Sequence, residues 1–207
     1  MKNLILAILA FSFAIVSNAQ TYQREPNENA EAFVKRALQV KVLAHQVIET
    51  KEWDTAKKVI LSFIPSNQDT TENSNYNEEE TYAVGYAFIP TGSNSYRRVL
   101  IDTFYENGGA PKIESVFFVN TDKDKQREIA IIVSTENTHR AEGINGSYYY
   151  TYFYDSPNIQ APQERLKMFK SLSEKFSCFE GDKGNKSYKA KYKTAASIKA
   201  VLKRMGY

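Results

Sequence analysis

The sequence contains little cysteine, proline or glycine: one Cys, six Pro and nine Gly among 207 residues. A lone cysteine cannot form an intrachain disulfide, which excludes a disulfide-stabilised miniprotein. The low glycine and proline content excludes a collagen-like repeat, and an apolar fraction of 42% excludes an intrinsically disordered chain. The composition is that of a globular protein. In such a protein we expect Cys178 to lie half-buried on a helix. The alternative is that it forms an intermolecular disulfide or is a reactive thiol.

Motifs of known catalytic sites are also lacking. The chain has two histidines, and neither belongs to an H-E-x-x-H zinc motif or lies in a cysteine cluster. Residues 143–147 do not have the G-x-S-x-G spacing of a serine nucleophile. A hydrolase centred on His139 would need Glu136 and a carboxylate from another strand in one cleft. We therefore expect a non-catalytic protein and keep this hydrolase as an alternative.

The only long apolar run lies at the N-terminus, at residues 4–16. Lys2 precedes the run, and the small residues Ser17 and Ala19 follow it, which is typical of a secretory signal peptide. The run is shorter than the roughly 20 apolar residues that a membrane-spanning helix needs. We predict a signal peptide cleaved after Ala19 and a secreted or periplasmic protein whose residues 20–207 form a single domain.

Positive and negative charges are nearly balanced, with a net charge of +3. This value is too small to indicate a nucleic-acid partner. Their distribution is uneven, because residues 69–80 carry only acidic charges and residues 183–207 only basic ones. The basic C-terminal end predicts either a weak contact with anionic lipid or polysaccharide, or a helix that merely faces solvent.

Apolar residues at three- and four-residue spacing predict helices near both ends of the chain. One begins at Asn27 or Asn29, and a second lies between Asp54 and Pro65, so that residues 20–65 are expected to form an antiparallel helix pair.

In residues 162–206 we predict two more helices, packed on a sheet. The first begins at Pro162 and ends at Gly181, because proline suits a first helical position and glycine a helix end. The second begins directly after Thr194, which is the predicted N-cap residue of this helix.

Between residues 81 and 155 the apolar period changes to two, which predicts five strands. They lie at residues 81–88, 99–105, 113–119, 128–134 and 148–154. The connections are too short for helical crossovers, so the strands should form an antiparallel meander. The predicted fold class is α+β, with an N-terminal antiparallel helix pair, a central five-stranded antiparallel meander and C-terminal helices packed on the sheet.

The turn before the fourth predicted strand carries oxygen-bearing side chains at alternate positions. They belong to Asn120, Asp122, Asp124, Gln126 and Glu128. Such spacing lets a chain curl around a hard cation that prefers six to eight oxygen ligands. The turn resembles the D-x-[DN]-x-D-G-x-x-[DE] calcium loops between strands of FG-GAP-like β repeats, with Lys125 in place of the family's glycine.

That resemblance implies calcium ligands from the three side chains at residues 120, 122 and 124 and from the backbone carbonyl of Gln126. It also implies a carboxylate ligand from Glu128, bound directly or through water. The alternative is a solvated hairpin turn whose alternating charges pair across it.

The last predicted strand is dense in tyrosine. If Tyr148, Tyr150, Tyr152 and Tyr154 share a strand face, they form an aromatic row about 20 Å long. Such a row could stack sugar rings or contact apolar side chains of a partner, or it could pack under helices. We therefore expect an exported non-catalytic domain that binds a protein or glycan through this row. The alternatives are a calcium-stabilised structural domain and the hydrolase centred on His139.

Overall fold

The computed structural model describes residues 20–53, 57–66, 81–105, 109–122, 124–158 and 163–207. These ranges leave out the predicted signal peptide at residues 1–19, the acidic stretch 69–80, Asp54 and Pro162. Within the described part of the chain, no helix is long and apolar enough to cross a membrane.

The described residues form strands and three α-helices. The strands are β1 (Thr21–Gln23), β2 (Ile48–Thr50), β3 (Val59–Pro65), β4 (Ala83–Pro90), β5 (Ser95–Phe104), β6 (Lys112–Val119), β7 (Glu128–His139), β8 (Ile144–Tyr154), β9 (Ser177–Lys183) and β10 (Lys186–Tyr188). The helices are α1 (Ala30–Leu38), α2 (Lys170–Ser173) and α3 (Ala195–Arg204).

The strands form two five-stranded antiparallel sheets. The first has the order β1-β5-β4-β3-β2 and the second the order β10-β9-β8-β7-β6. The prediction of one five-stranded meander was wrong. Its five strands are present, but β4 and β5 belong to the first sheet and β6, β7 and β8 to the second. Alternating apolar residues identify a strand but carry no information about which sheet it joins.

The predicted N-terminal helix pair was also wrong. The first helix does begin at its predicted cap, because the side chain of Asn29 accepts a hydrogen bond from the backbone N–H of Ala32. It ends at Leu38, however, and the second predicted helix is strand β3. Every residue from Val59 to Ile64 is buried. A strand buried on both faces is a continuous apolar run, which periodicity cannot distinguish from a buried helix.

The long helix predicted between Pro162 and Gly181 was wrong for a related reason. Its apolar residues have helical spacing, but they are distributed over four elements. These are an extended segment, the short helix α2, a 3₁₀ turn at Glu174–Phe176 and strand β9. The extended part bonds to strands, since Phe169 donates its backbone N–H to the carbonyl of Phe153. Cys178 is therefore half-buried on a strand and not on a helix.

The final helix α3 follows the sequence prediction. The hydroxyl of Thr194 accepts from the backbone N–H of Ser197, and the hydroxyl of Ser197 lies within hydrogen-bonding reach of the backbone N–H of Thr194. This reciprocal arrangement is a capping box and fixes where the helix begins.

The two sheets, helix α1 on one side and helices α2 and α3 on the other form four layers. Three clusters of buried apolar side chains lie between these layers. The central cluster packs the two sheets face to face and includes Val59, Leu61, Phe63, Ile129, Ile131 and Tyr154. Helix α1 covers the outer face of the first sheet through Phe33, Val34 and Leu38. Helices α2 and α3 cover the outer face of the second sheet through Leu172, Ile198 and Leu202. The fold is therefore a mostly-β sandwich with short helices on both outer faces, and the predicted α+β class is corrected accordingly.

Candidate functional site

The alternate tyrosines of β8 that end in Tyr154 lie on the inner face of the second sheet, which is the face directed toward the first sheet, whereas Tyr149 packs against the outer cluster. Tyr152 and Tyr154 pack against the central cluster, and alternate residues of a strand share a face. Tyr148 and Tyr150 therefore continue the same row. The ring centroids of Tyr148 and Tyr150 are 6.2 Å apart with 20° between the ring planes. Those of Tyr150 and Tyr152 are 6.4 Å apart with 27° between the planes.

Solvent exposure changes along this row. Tyr154 is fully buried, whereas Tyr148, Tyr150 and Tyr152 are half-buried. The Tyr154 hydroxyl donates a 2.9 Å hydrogen bond to Asp102. Burial, and next the negative charge of Asp102, raises the pKa of Tyr154 well above its usual value. Tyr154 thus belongs to the core, and the other three tyrosines form an accessible surface.

Rings from the neighbouring strands extend this surface. Phe179 in β9 lies opposite Tyr148, with ring centroids 4.9 Å apart. Tyr188 in β10 lies 6.0 Å from Phe179 and is 44% exposed. We call Tyr148, Tyr150, Tyr152, Phe179 and Tyr188 together the aromatic surface.

A cavity of about 300 Å³ opens beside the aromatic surface. Its lining includes Tyr150, Tyr152, Met168, Lys170 and Glu174. The cavity lies where β9 separates from β8. The last residue pair between these strands is Tyr150 with Ser177, and Tyr154 is bridged to Met168 instead. This local separation of neighbouring strands creates a recess with two tyrosine rings in its wall.

The lysine of β9 also lies at the aromatic surface. The ammonium nitrogen of Lys183 is 4.7, 4.3 and 5.9 Å from the ring centroids of Tyr148, Phe179 and Tyr188. The same nitrogen donates a 2.9 Å hydrogen bond to the hydroxyl of Tyr148. The predicted basic end of the chain therefore begins on the aromatic surface.

The predicted calcium loop lies in the turn between β6 and β7, where side chains close the turn on itself. The side-chain amide of Asn120 donates to the backbone carbonyl of Asp124 over 2.6 Å. The Asp122 carboxylate accepts from the N–H of Asp124 over 3.1 Å, and the Asp124 carboxylate accepts from the N–H of Gln126 over 2.6 Å. Four of the five predicted ligand residues, at positions 120, 122, 124 and 126, thus take part in the turn's own hydrogen bonds.

Two of the predicted ligands, Asp122 and Glu128, also meet a third carboxylate from Asp155. One oxygen atom of each residue lies within 4.8 Å of the other two, and this acidic triad could hold a metal ion. Glu128 is completely buried. Its Oε2 atom accepts hydrogen bonds from the backbone N–H and the hydroxyl of Thr121. Its Oε1 atom is buried and has no hydrogen-bond donor among the described residues.

Burial is the main electrostatic influence on two members of the triad, Glu128 and Asp155. Loss of solvent raises the pKa of Glu128, and the nearby charges of Asp122 and Asp124 raise it further. Burial likewise raises the pKa of Asp155, with an additional contribution from Asp122. The basic residue next to Glu128 points elsewhere, since the Arg127 guanidinium pairs with Glu52. The ionisation of Glu128 and of Asp155 is therefore opposed by burial and by neighbouring negative charge.

Asp155 is not among the ligands that the spacing of the acidic turn predicts. Its position could have been found from the pairing of β7 with β8, in which Ile129 lies opposite Tyr154. One step further along both strands, Glu128 and Asp155 become neighbours. The signal was therefore present in the register of two predicted strands and not in the spacing of the acidic turn.

The residues of the alternative hydrolase do not form one cleft. Glu136 and His139 are three positions apart on β7, so their side chains leave opposite faces of the strand. Both residues are exposed, and Glu136 pairs with Lys112.

No protein-family model, no curated protein and no solved structure matches this chain.

Proposed function

We propose that the chain is an exported, non-catalytic domain that binds a glycan through the aromatic surface and the adjoining cavity. The observation that carries this proposal is the row of nearly parallel rings of Tyr148, Tyr150 and Tyr152, half-buried at the wall of a cavity of about 300 Å³. Export is supported by the signal-peptide pattern of residues 1–19.

Tyrosine rings suit this task for two physical reasons. Each offers a large flat apolar area, and ordering it on binding has a low entropic cost because the side chain has few rotatable bonds. Neighbouring rings at Tyr148 and Tyr152 restrict the rotation of Tyr150, so the row is partly ordered before a ligand arrives. A sugar ring can then pack on the tyrosine rings while its hydroxyl groups stay hydrated at the edge.

The binding proposal is tested by calorimetry of the purified protein against a panel of soluble neutral and acidic polysaccharides. We expect Tyr150→Ala to weaken binding of the polysaccharide at least about tenfold, equivalent to about 1.4 kcal/mol. Tyr150→Phe, which keeps the ring, should retain most of the affinity. Tyr207→Ala, which removes an exposed tyrosine at the C-terminus, is the matched control and should bind as the wild type does. Binding that does not depend on residue 150 would refute the proposal.

A second candidate function is that of a calcium-stabilised structural domain. It is favoured by the Oε1 atom of Glu128, which is buried without a hydrogen-bond donor among the described residues while two further carboxylates lie nearby. An ionised carboxylate buried in this way is costly unless a cation pairs with it. Calcium is preferred because it binds carboxylate oxygens in flexible geometries and accepts waters or backbone carbonyls as further ligands.

In this second candidate, calcium would connect two segments that are distant in sequence. Asp122 belongs to the turn between β6 and β7, and Asp155 directly follows β8. The two segments already touch through a hydrogen bond from the hydroxyl of Ser156 to the side chain of Gln126. A bound ion would reinforce this contact and stabilise the folded state by mass action.

Thermal unfolding with calcium chloride and with a chelator tests the second candidate. We expect calcium to raise the midpoint, with a gain of about 2.7 kcal/mol at a hundredfold excess over the dissociation constant. Glu128→Gln should abolish the rise, and Glu142→Gln, at an exposed position, should preserve it. An unchanged wild-type midpoint would exclude calcium at this site.

A further inference from the structure

We infer that the ligand of the aromatic surface is an acidic polysaccharide, whose carboxylate groups bind Lys183 and Lys186; this inference rests on the proposed function. Its basis is the position of two lysines on the same face as the exposed rings.

Lys183 is held in place by the aromatic surface itself. Its ammonium group lies over the rings of Tyr148 and Phe179 and donates to the Tyr148 hydroxyl. A lysine ammonium has three donor hydrogens, and this bond uses one of them. No carboxylate of the described residues lies within 4.0 Å of the ammonium nitrogen of Lys183. The group is therefore ordered and has donors left for a ligand.

Lys186 lies directly opposite Lys183 in the hairpin of β9 and β10. Residues that are paired across an antiparallel ladder share a face, and two like charges in such a pair are destabilising. Among the described residues, no carboxylate forms an ion pair with Lys186 either. The neighbouring Asp182 does not neutralise the charges of the lysines. Its side chain lies on the other face of the strand and accepts a hydrogen bond from the hydroxyl of Ser187. An anionic group bound between the lysines would remove their repulsion.

Rings and lysines together define the ligand class. The rings of the aromatic surface favour a ligand with flat apolar faces, and the lysine pair favours one that also carries anionic groups. An acidic polysaccharide such as a polyuronate has both features. Single-stranded nucleic acid has them as well, but the proposed export favours the polysaccharide.

The test compares polygalacturonate with the same polymer after methyl esterification, which keeps the sugar rings and removes the charges. We expect the purified protein to bind polygalacturonate at least about tenfold more tightly than its methyl ester. Lys183→Gln and Lys186→Gln should each weaken polygalacturonate binding by about tenfold and leave the methyl ester unaffected. Lys203→Gln, on helix α3 at the other face of the sheet, is the matched control and should change neither affinity. Lys183→Arg, which keeps the charge, should retain binding.

The outcomes separate this inference from the proposed function. Equal binding of both polymers, or no effect of Lys183→Gln and Lys186→Gln, overturns the acidic ligand class. The proposed function stands in that case if Tyr150→Ala still weakens binding. If neither polymer binds in a way that depends on residue 150, the inference is overturned. Tighter binding of a thymidine oligonucleotide, dependent on Lys183 and Tyr150, would overturn the polysaccharide in favour of nucleic acid.

Discussion

The hydroxyl of Tyr154 donates a 2.9 Å hydrogen bond to the Oδ2 atom of Asp102, and this bond joins the two sheets of the sandwich. Tyr154 is the last residue of β8, and Asp102 belongs to β5. The same strand β8 carries the accessible tyrosines. One end of the row is thus fixed in the core, and the other end is accessible at the aromatic surface.

Removing this hydrogen bond should destabilise the protein. Tyr154→Phe keeps the ring in the core but leaves the half-buried Asp102 carboxylate without its phenolic donor. We expect a loss of about 2 kcal/mol in the free energy of unfolding, the usual range for a hydrogen bond to a charged group. Urea unfolding measures the loss, with Tyr207→Phe as the control. A change below about 0.5 kcal/mol would show that Asp102 finds an equivalent donor.

The same tyrosine should make stability sensitive to alkaline pH. The pKa of Tyr154 is raised in the folded state, from an ordinary value of 10.0. Above pH 10 the unfolded chain therefore loses the phenolic proton while the folded chain retains it, so the folded state is progressively disfavoured. Urea unfolding between neutral and strongly alkaline pH should give a steeper decline for the wild type than for Tyr154→Phe. Parallel declines would contradict this assignment.

Glu128 should make stability fall with rising pH when calcium is absent. Its pKa is raised above the ordinary value of 4.5, so the folded state binds more protons than the unfolded state just above that pH. The contribution of the protonated form to stability is present below pH 4.5 and is lost as pH rises through the raised pKa. In a chelator, Glu128→Gln should be more stable than the wild type at neutral pH and lack this decline. A less stable Glu128→Gln would indicate that the carboxylate has a favourable partner without calcium.

Two glycines permit β8 and β9 to pair beside the aromatic surface. A Cβ atom at Gly146 would lie 2.2 Å from the carbonyl oxygen of Glu180 and 2.9 Å from the Cα atom of Gly181. Gly146→Ala should therefore destabilise the protein by about 1–3 kcal/mol, because backbone atoms must move. In the control Gly109→Ala, the nearest atom would be at an ordinary 3.5 Å. Similar unfolding midpoints for both variants would show that the strands separate easily here.

The sequence predicted elements well where local chemistry determines them. Asn29 and Thr194 begin their helices as expected, because a cap depends on neighbouring backbone groups. The five predicted strands between residues 81 and 155 are also present. Their runs of β-branched and aromatic residues are visible in a single sequence, whether one face of the strand is buried, as in β5, or both faces, as in β4.

Properties that depend on distant residues could not be predicted in this way. The apolar run Val59–Ile64 is a strand because it is covered on both faces, by the second sheet on one side and by α1 on the other. The division of the strands between two sheets also depends on packing and not on period. The triad illustrates the same limit, since Asp155 joins Asp122 and Glu128 only through the register of β7 and β8.

The most direct test of the aromatic surface as the binding site is a tyrosine ring NMR titration of the purified protein with polygalacturonate and with its methyl ester. We predict that resonances of Tyr148, Tyr150 and Tyr152 shift with at least one polymer while those of the buried Tyr154 do not. Unchanged resonances of Tyr148, Tyr150 and Tyr152 with both polymers, or shifts confined to tyrosines outside the aromatic surface, would contradict the account.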